Sequence, residues 1–183
     1  MSHYRRADNP GGCYFFTVVT YQRRPFLTDD MARRCLRHAW RIVRERRPFE
    51  VVTLCLLPDH LHCIWRLPPD DADFSTRWAS IKAIFTRGYL RCRSAAILRN
   101  PSHVRSGEAT VWQRRFWKHK IRDERDLARH INYVHFNPVK HSLVTDPKDW
   151  SWSTYHRYVR EGYYGQQALL DGHSEFDDIE GGE

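Results

Sequence analysis

Two histidines, His60 and His62, stand two positions apart in a run whose other residues are typical of a core β-strand. Successive side chains of a strand point to opposite faces of its sheet, so the two imidazoles lie on the same face. The opposite face of this strand is apolar and carries Leu61, Cys63, Trp65 and Leu67. Two imidazoles on a rigid strand predict half of a site for a divalent cation, which then needs a third ligand. The alternative is a pair of hydrogen-bonded structural histidines, because short motifs of this kind are permissive.

A second pair of residues that could do chemistry, Tyr133 and Asn137, lies in a predicted helix near the carboxyl end. Their spacing of four places both side chains on one helix face. A tyrosine phenol attacks a phosphodiester once its proton is removed and the phosphate charge is screened. A metal held by His60 and His62 would supply that screening, and the Asn137 carbonyl oxygen would be its third ligand. The alternatives are a tyrosine that only packs and an asparagine that only ends a helix before Pro138.

The elements that must position these residues follow the order β-α-β-β-α-β and end with a further helix. The predicted strands cover residues 13–21, 49–57 and 60–67, and residues 111–121 are predicted to be a short fourth strand or an extended segment. The predicted helices cover residues 30–46, 73–93 and 123–137. This order indicates an α+β fold of one domain, with the split β-α-β topology of ferredoxin-like and RRM-like proteins: an antiparallel sheet with helices packed on one face. The histidines would then lie on the open face, where a substrate approaches. The second strand is apolar on both faces and is predicted to be central. Pro138 is predicted to end the last helix at Asn137.

Charge is unevenly distributed along the 183 residues, which carry 30 Lys and Arg against 22 Asp and Glu, a net charge of +8. The last 18 residues, 166–183, contain no Lys or Arg, and their acidic residues are Asp171, Glu175, Asp177, Asp178, Glu180 and Glu183. Residues 1–165 therefore hold 30 basic and 16 acidic residues, a net charge of +14. We predict one basic domain over residues 1–165 and an acidic, flexible tail over residues 166–183. Such a tail either competes with a polyanion for the basic surface or only adds solubility.

A basic, aromatic-rich body predicts a nucleic-acid partner, because cations neutralise phosphates and aromatic rings stack on unpaired bases. Aromatic residues make up 14% of the chain and hydrophobic residues 41%, which favours a folded protein over a disordered one. The alternative is a cationic surface that serves solubility alone. The candidates for phosphate contact are Arg5, Arg6, Arg23, Arg24, Arg77, Lys82, Arg87, Arg114, Arg115 and Lys118.

The five cysteines include no C-x-x-C pair, which indicates reduced thiols in a reducing compartment. The N-terminal residues lack an apolar signal segment, and no run approaches the length of a membrane span. We therefore expect a cytoplasmic protein without a membrane partner.

Five blocks of the sequence resemble the REP-associated tyrosine transposases, which are chromosomal relatives of the insertion-sequence transposases that move single-stranded DNA. These blocks are GGCYFFTVV, RPFEVVTLCLLPDHLHCIWRLP, DFSTRWASIKAIFTRG, VWQRRFWKHKIRDERDLARHINYVHFNPVKHSLV and DWSWSTYHRYV. The blocks occur in the family's order, and the resemblance covers about residues 4–165. His60-Leu61-His62 is similar to the HUH motif of single-tyrosine transposases. The chain departs from the family pattern at residues 94–110, which resemble an insertion, and at Asn132, where aspartate is common.

The resemblance implies a metal-dependent enzyme that nicks and rejoins single-stranded DNA. It implies that Tyr133 is the nucleophile and forms a 5′-phosphotyrosine link, and that His60, His62 and Asn137 bind Mg²⁺ or Mn²⁺. It also implies imperfect hairpins of repetitive extragenic palindromes (REP) as substrates, and a monomer, with a dimer as the alternative.

Two rival functions predict different observations. A non-catalytic module that binds single-stranded nucleic acid would present stacking aromatic rings on the sheet face instead of histidines. A metal-dependent hydrolase that uses water would not need Tyr133.

Overall fold

The computed structural model describes residues 10–92 and 111–165, which form four strands and four α-helices. The strands and the first three helices follow the predicted order, and the last helix was not predicted. The strands are β1 (Cys13–Val19), β2 (Glu50–Leu56), β3 (His60–Arg66) and β4 (Trp117–Lys120). The helices are α1 (Asp30–Arg46), α2 (Phe74–Cys92), α3 (Glu124–Lys140) and α4 (Tyr155–Arg160). The predicted α+β class is confirmed. The predicted insertion at residues 94–110 and the acidic tail lie outside the described residues, so the division at residue 165 stays a prediction.

The strands form one antiparallel sheet in the order β2-β3-β1-β4, which is the split β-α-β topology. The histidine strand β3 is therefore central, with His62 opposite Thr17 on β1 and Cys55 on β2. The prediction that β2 is central is wrong, because β2 lies at the edge of the sheet. It is apolar on both faces since helices cover both sides, and its outer edge pairs with the segment around Ser153.

The crossover helices α1 and α2 pack on the face of β3 that carries Leu61, Cys63 and Trp65, as predicted. Trp65 stacks on Trp78 of α2, with ring centroids 4.3 Å apart. Rings of this size bury large apolar areas and dominate the energetics of a core. The strand that carries the histidines is thus held in place from behind by the larger hydrophobic core.

Helix α3 covers the opposite face of the sheet, so the prediction of an open histidine face is wrong. The apolar side of α3 packs Ile131 and Val134 against Phe15 of β1 and Ile64 of β3. The sheet carries apolar residues on this face as well, and burying them is favourable. His62 is consequently fully buried, and a substrate must reach it at the rim between the sheet and α3.

Helix α3 begins with a side-chain cap, because the Asp123 carboxylate accepts a hydrogen bond of 2.8 Å from the Asp126 N–H. The prediction that it ends at Asn137 is wrong, since it continues through Pro138 to Lys140. Proline removes one backbone donor, and the following turn is closed by the His141 N–H, which donates to the Asn137 carbonyl at 3.0 Å. None of the helices in residues 10–92 and 111–165 combines the length and the apolar character that a bilayer crossing requires.

Candidate active site

The histidine face of β3 and one face of α3 meet in the interior of the protein. The rings of His60 and His62 lie edge to face with centroids 4.8 Å apart. The ring of Tyr133 lies 5.2 Å from that of His62, at an interplanar angle of 70°. The strand period and the helix period, which come from separate parts of the sequence, therefore bring the predicted nucleophile next to the predicted metal ligands.

Tyr133, Asn137 and His141 recur every four residues, so they form one row along α3. Tyr133 faces His62 at one end of the row, and His141 faces His60 at the other, with ring centroids 5.1 Å apart. Asn137 lies between them, and its Oδ1 atom is buried. His141 was not predicted to have a role, although its spacing of four from Asn137 was a signal. That signal was hidden by the expectation that Pro138 ends the helix.

The Nδ1 atom of each histidine ring lies within hydrogen-bonding distance of a neighbouring side chain. His60 Nδ1 lies 2.6 Å from the Asp59 carboxylate, and His62 Nδ1 lies 3.0 Å from the Thr17 hydroxyl. A carboxylate or hydroxyl on one ring nitrogen orients the other toward a metal. His60 Nε2 is buried and has no hydrogen-bond partner among the described residues. This pattern fits a cation bound through the Nε2 atoms.

The carboxylate of Asp59 is charged and held in place from two sides. Burial alone would raise its pKa, but the hydrogen bond with His60 and the ion pair with Arg23 at 3.0 Å lower the pKa below its usual range. Arg23 follows β1 with a backbone φ of 51°, a left-handed conformation that is uncommon outside glycine. The strained turn thus places a cation against the residue that orients His60.

Lys140 adds a positive charge beside the candidate nucleophile. Its Nζ atom lies 5.1 Å from the ring centroid of Tyr133. A nearby cation favours the negative charge that a phenol oxygen carries when it loses its proton. Lys140 was not among the predicted site residues, because it lies on α3 only where the helix continues past Pro138.

A second cluster with metal-ligand chemistry joins β4 to α3 and contains His119, Asp126 and His130, whose possible ligand atoms lie within 4.8 Å of one another. Its groups are already bonded, since His119 Nε2 lies 2.8 Å from Asp126 Oδ2, which also accepts from the Arg122 backbone N–H at 3.0 Å. Burial would raise the pKa of Asp126, but these hydrogen bonds hold it well below its usual range. The Arg122 guanidinium lies 3.2 Å from Asp126 Oδ2, so the carboxylate is already paired with a cation and a metal ion would have to displace it. We interpret this cluster as an anchor for the start of α3.

A cavity of about 380 Å³ opens beside the histidine site, between β1 and the segment that leads into β4. Thr17, which bonds to His62, lines it together with Arg23, Arg115 and Trp117. Thr17 of β1 pairs with Trp117, and Thr20, the residue after β1, pairs with Trp112. Between these two pairs β1 has two residues and the facing segment has four, so the facing segment bulges outward from the sheet edge. This bulge carries two of the predicted phosphate-binding residues, Arg114 and Arg115, and Arg115 lines the cavity.

The prediction of a phosphate contact is wrong for Arg77, which is only 1% exposed. Its guanidinium donates to the Asp71 carboxylate at 2.7 Å and to the Pro48 carbonyl at 2.8 Å, so it joins the second helix to the loop before β2. Periodicity placed it on the polar side of α2 and could not reveal these distant acceptors.

The other candidate cations are distributed over the surface. Lys82 donates to the Gln113 carbonyl at 2.8 Å, and burial lowers its pKa to about 8. Lys118 lies over the Phe74 ring on the opposite face from the histidines, 4.2 Å from its centroid. Arg87 is exposed on α2, Arg24 is half-buried near Tyr21, and Arg5 and Arg6 fall outside the described residues.

Comparisons with known proteins agree with this geometry. The family model described as IS200-like transposase matches residues 12–137, from β1 to Asn137. The chain belongs to this family. A REP-associated tyrosine transposase of Escherichia coli is 42% identical over 164 residues, 90% of this chain and 88% of the relative. A relative from Haemophilus influenzae, whose name places it in the same group, is 43% identical over 166 residues, 90% of this chain and 91% of the relative.

The fold of this transposase is also that of a solved structure, a REP-associated tyrosine transposase bound to a REP hairpin. The TM-score is 0.77 at 40% identity, and the match covers 100% of this chain and 98% of the other. The resemblance to REP-associated tyrosine transposases is therefore confirmed, and the chain is an HUH tyrosine transposase. Enzymes of this family use a divalent metal.

Proposed function

We propose that this transposase nicks and rejoins single-stranded DNA at REP-type hairpins, with Tyr133 as the nucleophile. The observation that carries the proposal is the contact of the Tyr133 ring with His62, 5.2 Å between centroids, inside a buried site. The relatives named REP-associated tyrosine transposases, and the solved relative bound to a REP hairpin, support the choice of substrate.

In this proposal His60 and His62 would hold a divalent cation, Mg²⁺ or Mn²⁺, through their Nε2 atoms, with the Oδ1 atom of Asn137 as a further ligand. Such an ion would supply charge neutralisation at the scissile phosphate. Asp59 and Thr17 orient the two imidazoles by holding their Nδ1 atoms. Because Tyr133 already lies against His62, a side-chain oxygen rather than a free water is held in position to attack the phosphate.

The chemical step exchanges one phosphoester bond for another. The Tyr133 oxygen loses its proton and bonds to phosphorus, the bond to the 3′-oxygen breaks, and that oxygen takes up a proton. The products are a 5′-phosphotyrosine and a free 3′-hydroxyl. Because the phosphotyrosine conserves the bond energy, a 3′-hydroxyl can attack it and rejoin a strand. Lys140 favours the negative phenol oxygen.

We place the cleaved strand along the cavity beside β1, where Arg23 and Arg115 meet its phosphates and Trp117 offers an aromatic edge. All of the proposed catalytic residues come from one chain, since α3 packs on its own sheet. A monomer is therefore sufficient for the reaction. Light scattering of the protein with and without hairpin DNA tests this, and a dimer formed only with DNA would overturn it.

The deciding experiment is incubation of wild type and Tyr133→Phe with hairpin DNA and Mn²⁺, followed by a denaturing gel. Wild type should yield a covalent protein–DNA band, and Tyr133→Phe should bind DNA but yield neither the band nor cleaved strand. Cleavage by Tyr133→Phe at a near wild-type rate would establish the water-based hydrolase instead. A wild type that binds hairpin DNA without cleaving it would establish a binding module. Cleavage of a perfect duplex at an equal rate would contradict the substrate.

A further inference from the structure

We propose that the groove between α1 and the outer edge of β2 binds the duplex stem of the hairpin through its phosphates. This proposal rests on the proposed function, because it locates a second contact for the same DNA. The groove measures about 790 Å³, larger than the cavity beside the histidines. It lies on the side of the sheet that faces away from Tyr133, so it is separate from the catalytic site.

One wall of the groove is a row of arginines on α1: Arg33, Arg37, Arg41 and Arg44. Their spacing of four, four and three residues keeps them on one face of the helix. At a rise of 1.5 Å per residue the row extends over about 16 Å, and one strand of a DNA duplex presents a phosphate about every 3.4 Å of its axis. A rigid row of this length can follow several consecutive phosphates.

The charge of the groove is predominantly positive. Arg157 on α4 faces the row from the opposite wall, and Glu45 is the one acidic residue among the described residues that line the groove. Arg37 and Arg41 are exposed and form no ion pair within residues 10–92 and 111–165. Exposed arginines without carboxylate partners are the groups that neutralise phosphates and release counterions from DNA.

The aromatic rings of the groove favour a duplex over an unpaired strand. Proteins that bind single strands stack the bases on exposed rings. Here Trp40 and Phe49 are buried in the core, and the Trp152 ring is covered by the Arg33 guanidinium at 3.7 Å. The groove therefore offers cations for a backbone rather than open ring faces for bases.

The position of the groove suits a stem whose single-stranded foot enters the catalytic site. Arg33 lies on Trp152, and the Trp152 carbonyl accepts from the Leu56 N–H at 2.8 Å. Leu56 in turn pairs with Leu61, which stands between the two histidines. One end of the arginine row is thus level with His60 and His62, one strand away. The segment around Ser153 already pairs with the edge of β2, so a peptide strand cannot add there.

The test compares Arg37→Gln/Arg41→Gln with a control of equal charge change, Arg46→Gln/Arg125→Gln, whose exposed arginines lie outside the groove. Fluorescence anisotropy measures the affinity of each protein for a hairpin with a single-stranded foot and for the same foot without the stem, over a salt series. The groove variant should bind the hairpin about tenfold or more weakly, and the slope of log K against log salt should fall by about two. Its affinity for the stemless strand should change by less than about twofold, and the control should match wild type.

Equal losses for the two double variants would show a general charge effect and overturn the proposal. Equal losses for hairpin and stemless strand would assign the groove to unpaired DNA, which also overturns it, as would unchanged hairpin affinity. Failure of the proposed function gives a different result: the wild type would form no covalent adduct, whatever its affinity for the stem.

Discussion

Asp59→Asn and Asp59→Ala are expected to weaken metal binding without removing a metal ligand. Asp59 accepts a hydrogen bond of 2.6 Å from His60 Nδ1, and the His60 side chain is only 1% exposed. The carboxylate therefore fixes the ring so that Nε2 points into the site, and it makes the imidazole a stronger electron donor. Without the carboxylate the ring is less well oriented and donates electron density to a bound cation less strongly.

The size of the effect follows from what each variant leaves behind. Loss of such a carboxylate partner costs about 10- to 100-fold in metal affinity. That range corresponds to about 1.4–2.8 kcal/mol of binding free energy. Asp59→Asn keeps an oxygen that accepts the same hydrogen bond, so its effect is expected near the lower limit. Asp59→Ala removes the acceptor and is expected near the upper limit.

Titration of the DNA-free protein with Mn²⁺, followed by calorimetry or by the electron paramagnetic resonance signal of free Mn²⁺, measures these affinities. Arg23→Gln is the matched control, because it removes the ion pair to Asp59 but leaves the hydrogen bond with His60. It should change the affinity by less than about twofold, as exposed ion pairs contribute little. Excess Mn²⁺ should restore covalent adduct formation in both Asp59 variants. Wild-type Mn²⁺ affinity in a folded Asp59→Ala protein would show that Asp59 does not orient His60 for metal binding.

Four further outcomes test other parts of the molecule. His62→Ala, and excess EDTA with the wild type, should each abolish the covalent adduct, and an adduct that persists in chelator would contradict the metal site. Lys140→Gln should slow adduct formation by about tenfold while Lys140→Arg retains the rate, because the positive charge beside Tyr133 is what matters; equal rates for both variants would contradict this. Asp71→Asn should lower the free energy of unfolding at pH 7 by about 2 kcal/mol in urea titrations. The hydrogen bond from Arg77 lowers the pKa of Asp71, so the stabilisation by this pair is present at neutral pH and is lost as the pH falls below about 4. A difference in unfolding free energy between variant and wild type that stays constant with pH would show that the Asp71 charge is not its source. Truncation after Leu170 should tighten DNA binding at low salt, with a gain that shrinks as salt screens the attraction; unchanged affinity would leave the acidic tail a solubilising role.

Features that depend on near neighbours in the chain could be predicted from the residues alone. Alternation in β3 separates His60 and His62 from Leu61, Cys63 and Trp65, because successive strand residues point to opposite faces. The spacing of Tyr133 and Asn137, and the cap at Asp123, likewise follow from helix geometry over a few residues. Each of these is a local property of the backbone, so it does not depend on what packs against it.

Which surfaces meet could not be predicted in this way, because it depends on how the whole domain packs. The histidine face could have been open or covered, and it is covered because α3 has its own apolar side to bury on Phe15 and Ile64. Arg77 has the same local pattern as an exposed arginine, but Asp71 and the Pro48 carbonyl supply acceptors that allow its burial. His141 approaches His60 because α3 continues past Pro138, although the two histidines are far apart in the sequence. Contacts between residues so distant in the chain are set by the free energy of packing the whole domain, and no local periodicity contains that information.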